Sequence, residues 1–199
     1  MTSPLYRTPD DEITPDLQLV RGRYDSLARD VETVRGLASA DPALSAEVAQ
    51  LLHAEARQLD AERWQEWFSW CTDDTMLWVP VNTRTPHPGS DQGLFLDDRR
   101  RLEERLWRFM DPNAWAIVPS GQVVRAVTGV EAWPDAERPG EVLVSSCLSL
   151  QHVRHQAVFT TVGRQVHRLG RTGDRWTLIQ KTLLLPHLAA GSPHLGWLI

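Results

Sequence analysis

From Ser120 onward the apolar residues of this chain stop recurring at helical spacing and begin to alternate. Residues 122–133 read as one strand ended by Pro134, 141–155 as a second, 158–169 as a third and 175–185 as a fourth. The connections DAERPG and RTGD are short enough to join neighbours in space. Four long strands in this order form an antiparallel meander, and one of its faces has to be covered. The cover must come from upstream, where the period is helical. The expected class is therefore α+β: a strongly bent antiparallel sheet forming a cone-like half-barrel around N-terminal helices.

Residues 51–80, LLHAEARQLDAERWQEWFSWCTDDTMLWVP, supply the plug. Val48, Leu51, Leu52, Glu55 and Leu59 share one face of a helix that Asp41-Pro42 starts, as a cap followed by proline in the first turn. Asp60 is placed to cap a second helix. Its apolar stripe is Trp64, Trp67, Phe68 and Cys71, and Asp73-Asp74 ends it. Residues 75–79 then run extended to Pro80. Further on, Asp97 is placed to cap a helix over DDRRRLEERLWRFM, with Leu102, Leu106 and Phe109 inward and Arg100–Glu104 and Glu104–Arg108 as surface pairs. The arginine run 99–101 reads as a solvated or interface face rather than a phosphate site.

The chain divides at about residue 40 into an N-terminal extension (1–40) and a cone-shaped domain (41–199). In the extension, Thr14-Pro15 opens a helix on which Leu17, Val20, Tyr24, Leu27, Val31 and Val34 form a heptad-like seam, weakened by Gly22 and Gly36. This helix either docks on its own domain or packs on another subunit. The polar loop 81–95 carries Arg84, His87 and Asp91, and loops of this length are often partner-contacting. The tail ends apolar at Trp197, Leu198 and Ile199, and an apolar terminus is normally tied down. The interface candidates are accordingly Leu17, Val20, Tyr24, Leu27, Arg84, His87, Asp91, Trp197 and Ile199.

A net charge of −5 argues against a nucleic-acid partner. No apolar run approaches a membrane span, and the N-terminus lacks a signal-peptide pattern. Cys71 and Cys147 read as reduced core residues, consistent with a cytoplasmic chain. Neither cysteine has a histidine two or three residues on, as a Rieske motif needs, and His152 and His155 point to opposite faces of one strand. No cofactor or metal site is expected in this chain. Hydrolase, phosphate-loop, dinucleotide and zinc-protease signatures are absent.

What remains for chemistry is the interior of the cone. Glu55 sits on an otherwise apolar helix face, and Gln180 alternates onto the same strand face as Trp176 and Leu178. Arg125, His152 and His167 lie on strands whose facing the sequence leaves open. Glu55 with a histidine, His152 the candidate, could serve as a general acid/base pair. The simpler reading is a satisfied buried cluster, such as Glu55 paired with an arginine. Arginine dominates the basic residues here, and Lys181 is the only lysine.

Four segments in order carry a resemblance: EARQLDAERWQEWFSWCTDDTMLWVP, LDDRRRLEERLWRF, AWAIVPSGQVVRAVTGV and VGRQVHRLGRTGDRWTLIQKTLLL. Over roughly residues 45–199 the chain resembles the small (β) subunit of bacterial aromatic-ring-hydroxylating dioxygenases, with the cone-shaped α+β barrel shared with scytalone dehydratase and ketosteroid isomerase. The resemblance implies a structural, non-catalytic subunit. Its large (α) partner would carry a [2Fe-2S] Rieske cluster and a mononuclear iron, in an α3β3 assembly with β–β trimer contacts. Two departures stand out: Pro186 where the family commonly has aspartate, and a longer N-terminal extension. A stand-alone dehydratase or isomerase using the cone pocket is the alternative.

Overall fold

A computed structural model describes residues 15–113, 121–154 and 157–186. The four expected strands are present as β3 (Gln122–Pro134), β4 (Glu141–Arg154), β5 (Ala157–Thr172) and β6 (Arg175–Leu184), each antiparallel to the next. Two further strands, β1 (Cys71–Pro80) and β2 (Gly93–Asp98), extend the sheet to the order β2-β1-β6-β5-β4-β3. The β1–β6 pair is parallel, so the sheet is mixed rather than antiparallel throughout. Local alternation identifies a strand but not its partner, and this pairing joins segments about a hundred residues apart.

The helix α2 (Pro42–Asp60) fills one face of the sheet. Asp41 caps it by accepting hydrogen bonds from the Ala43 and Leu44 amides, so the cap-then-proline reading holds. Val48, Leu52, Ala56 and Leu59 pack against Val127, Val144, Leu148, Leu150, Leu169 and Leu183 in the main core. The helix also protects the edge strand β3, whose free backbone groups would otherwise invite another strand. The Arg125 amide donates to Asp60 Oδ2 at 2.9 Å, the Ala132 amide to Ser45 Oγ at 3.0 Å, and His53 Nε2 meets the Val127 carbonyl at 3.2 Å.

The second plug helix is shorter than expected. α3 spans only Trp64–Phe68, Arg63 stands at its N-cap without a side-chain capping bond, and Cys71, Asp73 and Asp74 already belong to β1. Pairing with β6 wins over helix continuation: Cys71 stands opposite Leu178, and Thr75 Oγ1 donates to the Leu178 carbonyl at 2.5 Å. Asp60 is therefore the last residue of α2, not a cap. The stripe nevertheless points inward. Trp67 is fully buried, Trp64 stacks on Phe109, and Phe68 lies under the Arg99 guanidinium.

Nor does the polar loop run to residue 95 with a helix capped by Asp97: Gly93–Asp98 pairs with β1 as β2, a strand not expected from the sequence, with Asp97 opposite Leu77. The cap of α4 (Arg99–Met110) is Asp98, which accepts from the Arg101 amide, while Asp97 is buried and paired with Arg105. Leu102 and Leu106 face inward, Phe109 is half-buried, and Arg100 pairs with Glu104. Arg108 donates to the Glu104 carbonyl oxygen rather than to its carboxylate.

The opposite face of the sheet is covered by α1 (Pro15–Gly36). Leu27 and Val31 pack on Met76, Trp78, Val166 and Leu184 in a second core. The helix thus docks on its own domain through the C-terminal half of the heptad-like seam. It is anchored by Arg168 of β5, whose guanidinium binds both oxygens of Asp30 and reaches Asp135 and Glu141 at 2.6 and 2.7 Å. Burial outweighs the guanidinium at Asp30 and holds its pKa above the ordinary value.

Candidate functional site

One residue of β6 determines what the cone contains. Arg168 pairs with Gln180 and Leu169 with Leu178, so Ile179 is an extra residue that nothing opposes. Side chains before and after such a bulge swap faces. Trp176 and Leu178 point to the α2 side, but Gln180 turns to the α1 side, where it accepts from Ser26 Oγ at 3.4 Å. The expected sharing of one face by Gln180, Trp176 and Leu178 therefore fails. Lys181 takes the inward place instead.

Lys181 is 1% exposed, and its Nζ donates to Glu55 Oε1 at 2.7 Å. Trp67 Nε1 donates to the same oxygen at 2.9 Å. His167 Nε2 lies 3.8 Å from Glu55 Oε2. Burial pushes the Glu55 pKa up, but the ammonium and these hydrogen bonds overcome it, and the net value falls to about 2. His167 goes the other way. Burial, aided by the Lys181 charge, lowers it to about 3, so the imidazole is neutral at pH 7 and its closeness to Glu55 is not an ion pair. Neither ring nitrogen of His167 has a hydrogen-bond partner among the described residues. The arrangement is a lysine–carboxylate pair braced by an indole, with a neutral imidazole packed beside it.

The three side chains whose facing was open all point into the cone. Arg125 pairs with Asp60, and His167 joins Glu55. His152 is buried beside Phe159, at a ring-centroid distance of 6.3 Å. It does not meet Glu55 as an acid/base partner. Val144 is the residue opposite His167, and His152 lies eight residues further along β4, roughly 25 Å at strand rise. The satisfied-cluster reading of Glu55 fits, with the lone lysine in place of an arginine. Lys181 was the missed residue, and the signal available was a single lysine inside an apolar strand.

A cavity of about 310 Å³ opens at the end of α2, lined by Asp60, Trp64, Phe109 and Arg125 among others, but by none of Glu55, His152, His167 or Lys181. Among the described residues no three His, Cys, Asp or Glu side chains converge as a metal set. Cys71 and Cys147 are free, and burial pushes the Cys71 thiol up to about 12, which leaves it protonated.

The interface candidates divide. Leu17 and Val20 are exposed at the start of α1, Tyr24 is half-buried, and Leu27 is enclosed in the chain's own second core. The loop is folded on itself by Asp91, which accepts from the His87 amide and from Asn82 Nδ2. It is pinned to α1: Arg35 donates to the carbonyls of Thr83 and Arg84, and His87 Nε2 meets Asp25 at 3.2 Å. Trp197, Ile199 and His155 lie outside the described residues.

An open, strongly bent sheet around a helical plug, with a second helix on its back, defines a cone-shaped α+β protein. The chain belongs to the ring hydroxylating beta subunit family, whose model matches residues 54–189. It is 26% identical over 159 residues to the biphenyl 2,3-dioxygenase subunit beta of Rhodococcus jostii (strain RHA1), covering 74% of this chain and 84% of that one. A chain of naphthalene 1,2-dioxygenase, solved with indole bound in its active site, superposes with a TM-score of 0.67 at 20% identity, over 88% of this chain and 93% of that chain. A putative scytalone dehydratase from Novosphingobium aromaticivorans superposes with a TM-score of 0.52 at 11% identity, over 69% and 80%. The two superpositions speak for the fold alone, and the family resemblance read from the sequence is borne out.

Proposed function

We propose that this chain is the structural, non-catalytic β subunit of an aromatic-ring-hydroxylating dioxygenase. It supports assembly with a large subunit that oxidises an aromatic compound with O2. The large subunit carries the [2Fe-2S] Rieske cluster and the mononuclear iron. The described residues of this chain offer no donor set that fits either group. The assembly is α3β3, built on a β trimer with three-fold symmetry, in the cytoplasm. Exposed Leu17 and Val20, the 81–95 loop and the apolar tail serve its contacts.

The observation that carries this reading is the sealed state of Glu55. A general acid or base has to reach a substrate proton within hydrogen-bond distance. Glu55 spends one oxygen on Lys181 and Trp67 and is 4% exposed. The test is co-purification with a cognate large subunit, read as complex mass and arene oxidation. Yield of active oxygenase should rise with this chain present, and the chain alone should be inert toward dehydratase and isomerase substrates. Turnover by the isolated chain, abolished by Glu55→Gln, would overturn the reading in favour of a cone enzyme.

A further inference from the structure

The cavity at the end of α2 has the size at which small-molecule sites begin, and its lining has their composition. One wall is the Trp64–Phe109 stack, with centroids 5.3 Å apart and planes 20° from parallel. Leu59 and Val123 supply apolar surface. The polar part is the Asp60–Arg125 pair. Arg125 Nη1 donates to Asp60 Oδ1 at 2.5 Å and its amide to Oδ2 at 2.9 Å, so the carboxylate is fixed from two directions. The Arg125 side chain is only 4% exposed. Glu62, also in the lining, closes the α2 terminus in the left-handed region with φ 54°, where glycine would be unstrained. A larger side chain is held there at a conformational cost of about 1 kcal/mol.

We infer that this cavity binds a neutral planar arene of one or two rings bearing a hydroxyl group. The Trp64–Phe109 wall offers ring faces on which a planar molecule extends the stack. Charge selects against acids: the Asp60 carboxylate is fixed on Arg125, so a ligand carboxylate that approached the guanidinium would meet a like charge. A hydroxyl answers both halves of the fixed pair, donating to the Asp60 carboxylate and accepting from the guanidinium. A bare hydrocarbon would cover that pair without replacing its water. The inference is independent of the assembly role, since it concerns a cavity apart from the Glu55 cluster.

Calorimetric titration of the full chain with 2-naphthol, 2-naphthoate and the saturated alcohol 2-decalol tests it. Binding of 2-naphthol is expected, with 2-naphthoate and 2-decalol each about tenfold weaker. Phe109→Ala, at a half-buried position of α4, should weaken 2-naphthol by about fivefold to tenfold with the circular dichroism unchanged. Trp64→Phe keeps the ring and should preserve the heat of binding while removing the tryptophan fluorescence change, which locates the ligand even where Phe109→Ala fails to fold. No heat from 2-naphthol at about 1 mM, 2-naphthoate binding as tightly, or a fluorescence change that survives Trp64→Phe would overturn the inference.

Discussion

Replacing Lys181 by methionine removes the ammonium from Glu55 while nearly keeping the shape of the side chain. The carboxylate, 4% exposed, would retain only the Trp67 indole as a donor among the described residues, because His167 Nε2 stands 3.8 Å away, beyond hydrogen-bond reach. Two routes give the cost. Breaking a buried pair on one side typically costs about 3–5 kcal/mol. Alternatively, the stranded carboxyl escapes by taking up a proton, and at pH 7 that costs a group of ordinary pKa 4.5 roughly 3.4 kcal/mol. The second figure is a ceiling set by protonation, so Lys181→Met should lose about 3 kcal/mol at pH 7. The loss should shrink by about 1.4 kcal/mol per unit as the pH is lowered toward 5.

Urea unfolding with a constant m-value measures this directly. The double variant Glu55→Gln/Lys181→Met leaves no buried charge, and it should recover to within about 1–2 kcal/mol of the parent. A loss below about 1 kcal/mol in Lys181→Met, or a double variant no better than the single, would show that the pair is not the buried, closed contact described here.

His167 and Glu55 also set the acid stability. The folded pKa of His167 is lowered from 6.5 to about 3, so the unfolded chain binds the extra proton, and stability should fall as pH drops from 6.5 toward 3. Glu55, lowered from 4.5 to about 2, adds a further loss below pH 4.5. Thermal melts of His167→Leu should therefore lose the parent's slope between pH 6.5 and 4.5, and an unchanged slope would refute the neutral buried imidazole. On the other face, Arg168→Met strands Asp30, which is 3% exposed, and should cost about 3–5 kcal/mol. Hydrogen exchange should show faster amides throughout α1, and α1 protection equal to the parent's would mean that the apolar contacts of Leu27 and Val31 hold the helix unaided.

The parts of the fold that were legible in the sequence are those set by local period and local caps. Val48, Leu52 and Leu59 recur at helical spacing, and α2 buries them. Asp41-Pro42 states the start of α2 in two residues. The meander strands fall within a few residues of their alternating runs because each alternation is long. The α3–β1 boundary was not legible. Trp64, Trp67, Phe68 and Cys71 keep helical spacing past the point where the helix stops, since the stop is imposed by β6, far away in sequence. Asp60 shows the same limit. As an acidic residue ahead of a helical stripe it has the form of a cap, yet its carboxylate is taken by Arg125 across the edge of the sheet.

The Glu55 site depends on a feature with no local signature at all. Thr177, Leu178, Ile179, Gln180 and Lys181 carry neither glycine nor proline to mark a bulge, so plain alternation puts Gln180 inside with Leu178 and Lys181 outside. That arrangement would give Glu55 a neutral amide and place an ammonium beside Arg168, adding to the positive charge beneath α1. With Ile179 unopposed, each face has its charges matched: Lys181 meets Glu55 inside, and Arg168 gathers Asp30, Asp135 and Glu141 outside. An unpaired buried charge is costly enough that the alternating register would be strongly disfavoured. The same bulge therefore fixes the register of β6, closes the carboxylate that could have served as an acid or base, and leaves the Arg168 guanidinium unopposed by an ammonium where it holds Asp30 of α1 to the sheet.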